Sequence, residues 1–293
     1  MKKIKLNFRL TGLAFMGMLA FASCEQDIER PALGEFPVDE NEPGGPLKFY
    51  VTFDRESSNP LMQAVDETRA KFPTENNFTQ VEGVSGLAAQ GVTDKMISYS
   101  KPGDWITADS FTIAFWEKHD GQTKNNGDPG AEHVFSLPTI QSPTQHWSKG
   151  AMFCLFDAYG GSSTAAAIKF VMVDANMADT WMTWENENSI EGVLDNQWHH
   201  FAFVYDAATS GFTMYIDGVN KGTKVWGTHG PLNLDAGQIA AFRIGNGPQA
   251  QNPPDQAPNN WLYSNWKGAL DNFRLYDIPL TEAEIQDLFT NKI

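Results

Sequence analysis

The sequence predicts an all-β fold for most of the chain, a two-sheet sandwich or a barrel, and three observations carry the prediction. Short runs with apolar residues at every second position recur between residues 47 and 293. Glycine, proline, asparagine and aspartate separate those runs. The stretch fits one large β domain or two small ones, and it contains no second linker and no repeat of fixed period. Alternation in aromatic and β-branched runs bounded by turn residues marks half-buried strands. Several such strands in series close into a sandwich or a barrel.

The first elements are not strands. Lys2, Lys3, Lys5 and Arg9 precede an uncharged, mostly apolar run from Leu10 to Ala22. That is the layout of a secretory signal, with an apolar core too short for a permanent membrane span. Phe21-Ala22-Ser23-Cys24 resembles the bacterial lipobox, whose cysteine is acylated and becomes the new first residue; ordinary cleavage to a soluble protein is the competing reading. Residues 1–23 are therefore expected to be a lipoprotein signal peptide. Residues 24–46 are expected to be a disordered acidic tether, because a segment rich in Pro, Gly and carboxylates buries too little apolar surface to order itself. Glu25, Gln26, Asp27 and Glu29 resemble the acidic surface-export signal of Bacteroidetes lipoproteins, which implies an outer-membrane anchor facing the cell exterior.

Charge narrows the partners. The chain carries 21 basic and 36 acidic residues. Residues 1–23 hold four of the basic ones and no acidic one, so their removal leaves 17 against 36, a net charge of −19. Nucleic acid and anionic lipid both need a basic footprint, so this balance argues against them as partners. Only two cysteines exist, Cys24 and Cys154. With Cys24 acylated no disulfide can form, and Cys154, within the apolar run Ala151–Phe156, reads as a core residue.

The strands follow in order. Phe111, Ile113 and Phe115 share one face of their run. So do Phe201, Phe203 and Tyr205, preceded by Trp198, which with Phe201 is assigned to the core. Phe212, Met214 and Ile216 alternate up to the turn Asp217-Gly218, Phe242 and Ile244 up to Gly245, and Phe273 and Leu275 up to Asp277. Gly218 and Gly245 are assigned turns with positive φ. Asp66 to Lys71 could form a short helix ended by Pro73. A second helix is well marked: Thr281 and Glu284 form a capping box, Leu280 and Ile285 a staple, and Ile285, Leu288 and Phe289 an apolar stripe.

The series Leu47–Asp54, Gly83–Ala89, Ser110–Trp116, Gln197–Asp206, Phe212–Gly218, Ile244-Gly245, Trp266–Asp277 and Leu280–Ile285 resembles the laminin-G-like, concanavalin A-like lectin/glucanase domains. The resemblance covers nearly all of residues 47–293 and implies a jelly-roll sandwich of two antiparallel sheets with a short C-terminal helix. It also implies a structural calcium ion where the first strand meets the last, at positions matched by Asp54 and Asp271. Calcium takes six to eight oxygens, many of them from the backbone.

Glycosidases of this family carry Glu-x-Asp-x-x-Glu on one strand, which sets nucleophile and acid about 5 Å apart. That string does not occur here. The nearest candidate, Glu185 and Glu187, has Asn186 in place of the assisting aspartate, and a solvated acidic loop is the better reading. His199 and His200 are adjacent on a strand, so they face opposite ways and cannot readily share one ion. The sequence contains no H-E-x-x-H, zinc-type cysteine pattern or nucleophile elbow.

Nine tryptophans remain to be placed. Trp147, Trp181, Trp184, Trp226 and Trp261, with Tyr263, fall outside the main alternating runs and among Asn, Gln, Asp and Glu. Flat aromatic faces flanked by amide and carboxylate hydrogen-bonders are what a sugar ring requires, although each of these tryptophans could equally cover the base of a loop. The sequence thus predicts a surface lipoprotein that binds a polysaccharide or oligosaccharide without cleaving it, beside other glycan-uptake proteins. An adhesin that binds protein and a divergent glycosidase or lyase are the alternatives.

Overall fold

The computed structural model describes residues 44–122, 124–125, 128–140, 146–157, 162–249 and 261–292. Cys24, the signal and the tether up to residue 43 lie outside them. The first seven strands are β1 (Leu47–Val51), β2 (Glu75–Asn76), β3 (Thr79–Glu82), β4 (Leu87–Gln90), β5 (Ile97–Tyr99), β6 (Phe111–Lys118) and β7 (Lys124–Asn125). Next come β8 (Asp128–Pro129), β9 (Glu132–Pro138), β10 (Gly150–Asp157), β11 (Ala167–Val173) and β12 (Asp179–Trp184). The last are β13 (His199–Asp206), β14 (Gly211–Ile216), β15 (Val219–Val225), β16 (Phe242–Ile244) and β17 (Ala269–Tyr276), followed by the helix α1 (Glu282–Asn291).

They build two antiparallel sheets. The eight-stranded sheet runs β15-β14-β13-β6-β17-β4-β3, with β1 added against β17. The seven-stranded sheet runs β12-β11-β10-β9-β16-β5-β2. This is the concanavalin A-like jelly-roll sandwich. The alternation seen in the sequence sets which residues enter the core: Phe111, Ile113, Phe115, Phe201, Phe203, Phe212 and Met214 are fully buried. Within the eight-stranded sheet Phe115 stacks on Phe273 at 5.4 Å, and across the interface Phe111 meets Phe170 of the other sheet at 5.9 Å. Cys154 is buried in the same core and its thiol pKa is pushed well up by desolvation. Trp198 differs from expectation: it stands just before β13 and is half-buried, while Phe201 alone enters the core.

Asp217 and Gly218 both take positive φ, +53° and +74°, which gives the β14–β15 hairpin a backbone twist matching its strands. Gly245 is at +76°. Asp66 to Lys71 is not helical. Asp66 Oδ1 accepts the backbone N–H groups of Tyr50, Thr68 and Arg69 and so closes a turn. Such local side-chain bonds compete with helix formation. A 3-10 turn occupies Pro60–Ala64 instead.

Helix α1 carries the expected capping box, with Thr281 Oγ1 and Glu284 bonded reciprocally. It lies on the outer face of the eight-stranded sheet, where Leu280 and Ile285 pack with Ala114, Ala202, Val204 and Tyr215. Among the described residues no helix is long and apolar enough to cross a membrane.

Candidate functional site

The outer face of the seven-stranded sheet is the counterpart of the face under α1, and tryptophans rather than a helix meet it. Strand β12 sends Met182 and Trp184 inward and Trp181 outward, as period-2 geometry requires. Trp181 pairs across the ladder with Val171. Trp147 comes from the turn before β10, and Trp261 from a 3-10 turn at Trp261–Tyr263.

These three rings converge. Trp147 and Trp181 are parallel within 5°, with centroids 6.3 Å apart. Trp261 stands 6.2 Å from Trp181 and 6.3 Å from Trp147, inclined at 53° and 58°. Beneath them, Phe153 of β10 touches Trp181 edge-on, and His133 of β9 stacks on Trp261 at 6.1 Å and 12°. The tryptophans nevertheless keep 55% (Trp147), 36% (Trp181) and 39% (Trp261) of their surface exposed. Three clustered, exposed tryptophans form an apolar patch of the kind that marks an interaction site.

A groove of about 380 Å³ opens beside Trp181 and Trp261, lined also by Ala131, Leu155, Asp157 and Lys169. The Lys169 ammonium donates to Asp157 Oδ2 at 3.0 Å and lies 3.4 Å from Glu185 Oε2. Glu185 is thus half-buried on a cation and is not a freely solvated loop residue, whereas Glu187 is exposed. The two do not share a strand face, because β12 ends at Trp184 and a 3-10 turn follows. Asp179 fixes one rim: its Oδ2 accepts Trp181 Nε1–H at 3.3 Å and lies 3.3 Å from His146 Nε2. His133 is fully buried, and desolvation lowers its pKa to about 3, so the ring under Trp261 is neutral.

The other sequence candidates lie elsewhere. Trp184 is 4% exposed, packs on Phe212 in the core and donates to Lys221 O, so it presents no face to a ligand. Trp226 is half-buried and stacked on His229 at 3.6 Å, against the core near Tyr205. Tyr263 shares the turn of Trp261, but its surroundings are Asp94, Arg243 and Glu75. Burial first, then Asp94, raises its hydroxyl pKa to about 12. Sequence reasoning missed His133, Phe153, Asp157, Lys169 and Asp179. Lys169 alone left a trace, as the single charge in the apolar run Ala-Ile-Lys-Phe-Val-Met-Val. A cavity of about 560 Å³ near Asp109, Asp174 and His229 has no tryptophan in its lining.

Asp54 and Asp271 meet at the loop Gly83–Leu87. Asp271 is fully buried; its Oδ2 accepts the Val84 and Ser85 N–H groups, and Oδ1 has no partner. Asp54 Oδ1 accepts Leu87 N–H at 2.7 Å, and a Cβ on Gly86 would come within 2.1 Å of that oxygen. Desolvation first, with Asp54 as a minor contributor, raises the Asp271 carboxyl to about 7. Two neighbouring carboxylates and one orphan oxygen fit a hard cation. No three His, Cys, Asp or Glu side chains converge as a metal-holding set among the described residues, so the remaining oxygens would have to come from backbone or water.

His199 and His200 face opposite ways, as their adjacency predicts. His199 pairs with Asp217 (2.8 Å) and Asp195 (3.2 Å). His200 is buried between Trp116 and Phe289.

A sequence model described as the concanavalin A-like lectin/glucanases superfamily matches residues 93–286. The chain belongs to that superfamily. No curated protein sequence matches it. Among solved members of this fold, it is similar to domain 4 of a GH43 extracellular arabinanase from Geobacillus stearothermophilus, in complex with arabinotriose. Identity is 18%, the match covers 83% of this chain and 97% of that one, and the TM-score is 0.52. It is also similar to the binding domain of Paraclostridial mosquitocidal protein 1 (17%, 84% and 52% coverage, TM-score 0.53) and to Trypanosoma rangeli sialidase (16%, 84% and 33%, TM-score 0.50). The chain thus spans about half the length of the second and a third of the third. The concanavalin A-like fold occurs in chains named as enzymes and in chains named as binding domains, so activity has to be argued from the site.

Proposed function

We propose that this protein is a lipid-anchored surface protein that holds extracellular carbohydrate on the Trp147–Trp181–Trp261 face without cleaving it. The observation that carries this reading is the convergence of three exposed indoles beside a groove lined by Lys169 and Asp157, with Glu185 also paired to the Lys169 ammonium. Stacking on indole suits the CH face of a sugar ring, and the charged rim suits its hydroxyls. The arabinanase domain seen with arabinotriose makes the fold a suitable scaffold for such a ligand. The sequence lacks the Glu-x-Asp-x-x-Glu string of glycosidases with this fold, and Glu185 is engaged by Lys169, which favours holding over hydrolysis. The anchor rests on the lipobox-like Cys24 and the outward address on the acidic residues after it, with glycan-uptake proteins as neighbours. A calcium ion between Asp54 and Asp271 would neutralise the buried carboxylate and fasten the Gly83–Leu87 loop.

The test is affinity electrophoresis of residues 25–293 in gels containing single polysaccharides. Retardation by at least one of them, abolished in Trp181→Ala and Trp261→Ala, is the expected result. No retardation on any glycan would shift the face to a protein-binding role, and release of reducing sugar would overturn the non-catalytic reading.

A further inference from the structure

The groove beside the tryptophans carries a row of charge across three neighbouring strands. Asp157 ends β10, Lys169 lies within β11 and Glu185 follows β12. Their side chains keep 21, 18 and 32% of their surface exposed, so each is within reach of a ligand yet largely withdrawn from water. Burial alone would lower the Lys169 pKa; the hydrogen bond it donates to Asp157 and the charges of Asp157 and Glu185 outweigh it, and the net shift is upward. The ammonium therefore stays charged and is already matched by two carboxylates.

Two other basic side chains among the described residues of this sheet, His133 and Arg243, are neutral or already engaged. His133 is held neutral by burial. Arg243, which follows inward-facing Phe242, spends its Nη1 on the carbonyls of Gly247, Pro248 and Gln249. Asp179 on the rim adds another carboxylate, committed to Trp181 and His146. Among the described groove-lining residues the one cation is Lys169.

This arrangement discriminates between classes of sugar. A hydroxyl can accept from an ammonium and donate to a carboxylate at once, so two adjacent hydroxyls can bridge Lys169 to Asp157 or Glu185. A carboxylate or sulfate on the sugar can only accept, and it would meet two fixed negative charges a few ångströms from the one donor. Built-in repulsion of this kind sets specificity as much as attraction does.

Resting on the proposal that this face binds carbohydrate, we infer that the groove selects neutral glycans: a ring stacks on Trp181 or Trp261 with its hydroxyls bridging Lys169 to Asp157 or Glu185, and uronate-bearing and sulfated polymers are rejected.

The full chain is titrated with linear arabinan, linear galactan and xylan as neutral probes, and with polygalacturonate and dextran sulfate as anionic ones. The neutral set should contain the binders, with anionic polymers at least about tenfold weaker, the size of one lost charge-assisted hydrogen bond. Lys169→Met should weaken neutral binding by a similar factor. Should that variant unfold because it strands two carboxylates, Glu185→Gln supplies the test: it relieves the repulsion and should narrow the gap between the two sets. Anionic polymers binding as well as neutral ones, or an unchanged gap in Glu185→Gln, would overturn the inference while leaving carbohydrate binding intact. Failure of every polymer would instead sink the carbohydrate proposal on which it rests.

Discussion

Asp179 links two aromatic residues that are far apart in sequence. Its Oδ2 receives Trp181 Nε1–H and faces His146, whose ring lies 5.3 Å from that of Trp147. One carboxylate oxygen thus bonds one member of the parallel tryptophan pair and faces the histidine that neighbours the other. Asp179→Ala should leave the fold in place, since Asp179 is exposed at the start of an edge strand. Glycan affinity should fall by about 1 kcal/mol, roughly fivefold, the usual worth of one hydrogen bond. Calorimetric titration reads the affinity, and an unchanged dissociation constant would mean the rings are held by stacking alone. A second residue-scale effect concerns acid. His200 has both ring nitrogens unpartnered, and desolvation, helped by Arg274, lowers its pKa to about 3. The unfolded chain therefore takes up this proton first, and the contribution of a neutral His200 is intact above about pH 6.5 and lost as pH falls from there toward 3. Relative to His200→Gln, the wild type should lose up to about 5 kcal/mol between pH 7 and pH 3, at about 1.4 kcal/mol per pH unit. Urea unfolding of both proteins across that range measures it, and parallel curves would show that His200 titrates normally.

At the scale of elements, α1 shows what was legible. The capping box, the staple and the stripe are local, and all three could be read from ten consecutive residues. Thr281→Ala should cost about 1 kcal/mol through loss of the cap. Ile285→Ala should cost about 2–5 kcal/mol, because Ile285 is fully buried against the outer sheet face. Denaturant titration should rank the two in that order, and a larger loss for Thr281→Ala would mean that docking depends on the helix terminus. The strands were legible for the same reason, since their alternation is a short-range pattern. The site was legible only in part. Trp181 and Trp184 sit three residues apart in β12, so counting by twos would already have separated the outward ring from the inward one. Trp147, Trp181 and Trp261 could be singled out but not brought together, because their meeting depends on register and on turns more than thirty residues apart. The bond of Lys169 to Asp157 and its ion pair with Glu185, and the stacking of His133 on Trp261 across 128 positions, have no local signature at all. Asp66 misled for the opposite reason: its side chain captured the backbone N–H groups that a helix would have used.

At the scale of the whole molecule, the acidic balance and the cysteine at position 24 bear on the same question of placement. A net charge of −15 disfavours attraction to anionic surfaces. No helix among the described residues is long and apolar enough to cross a membrane. On the proposed lipidation of Cys24 the lipid provides the hold, and one acyl chain gives only marginal, reversible binding, so stable residence calls for more than one chain. Cys24→Ala therefore makes a sharp prediction. In Triton X-114 partition the wild type should enter the detergent phase and the variant the aqueous phase, while titration of the two with the same neutral glycan should give equal affinities, because the Trp147–Trp181–Trp261 face owes nothing to the anchor. An aqueous wild type would remove the lipid from the proposal, and a variant that stays in detergent would point to a second membrane contact. A drop in affinity in the variant would instead tie the anchor to the binding face.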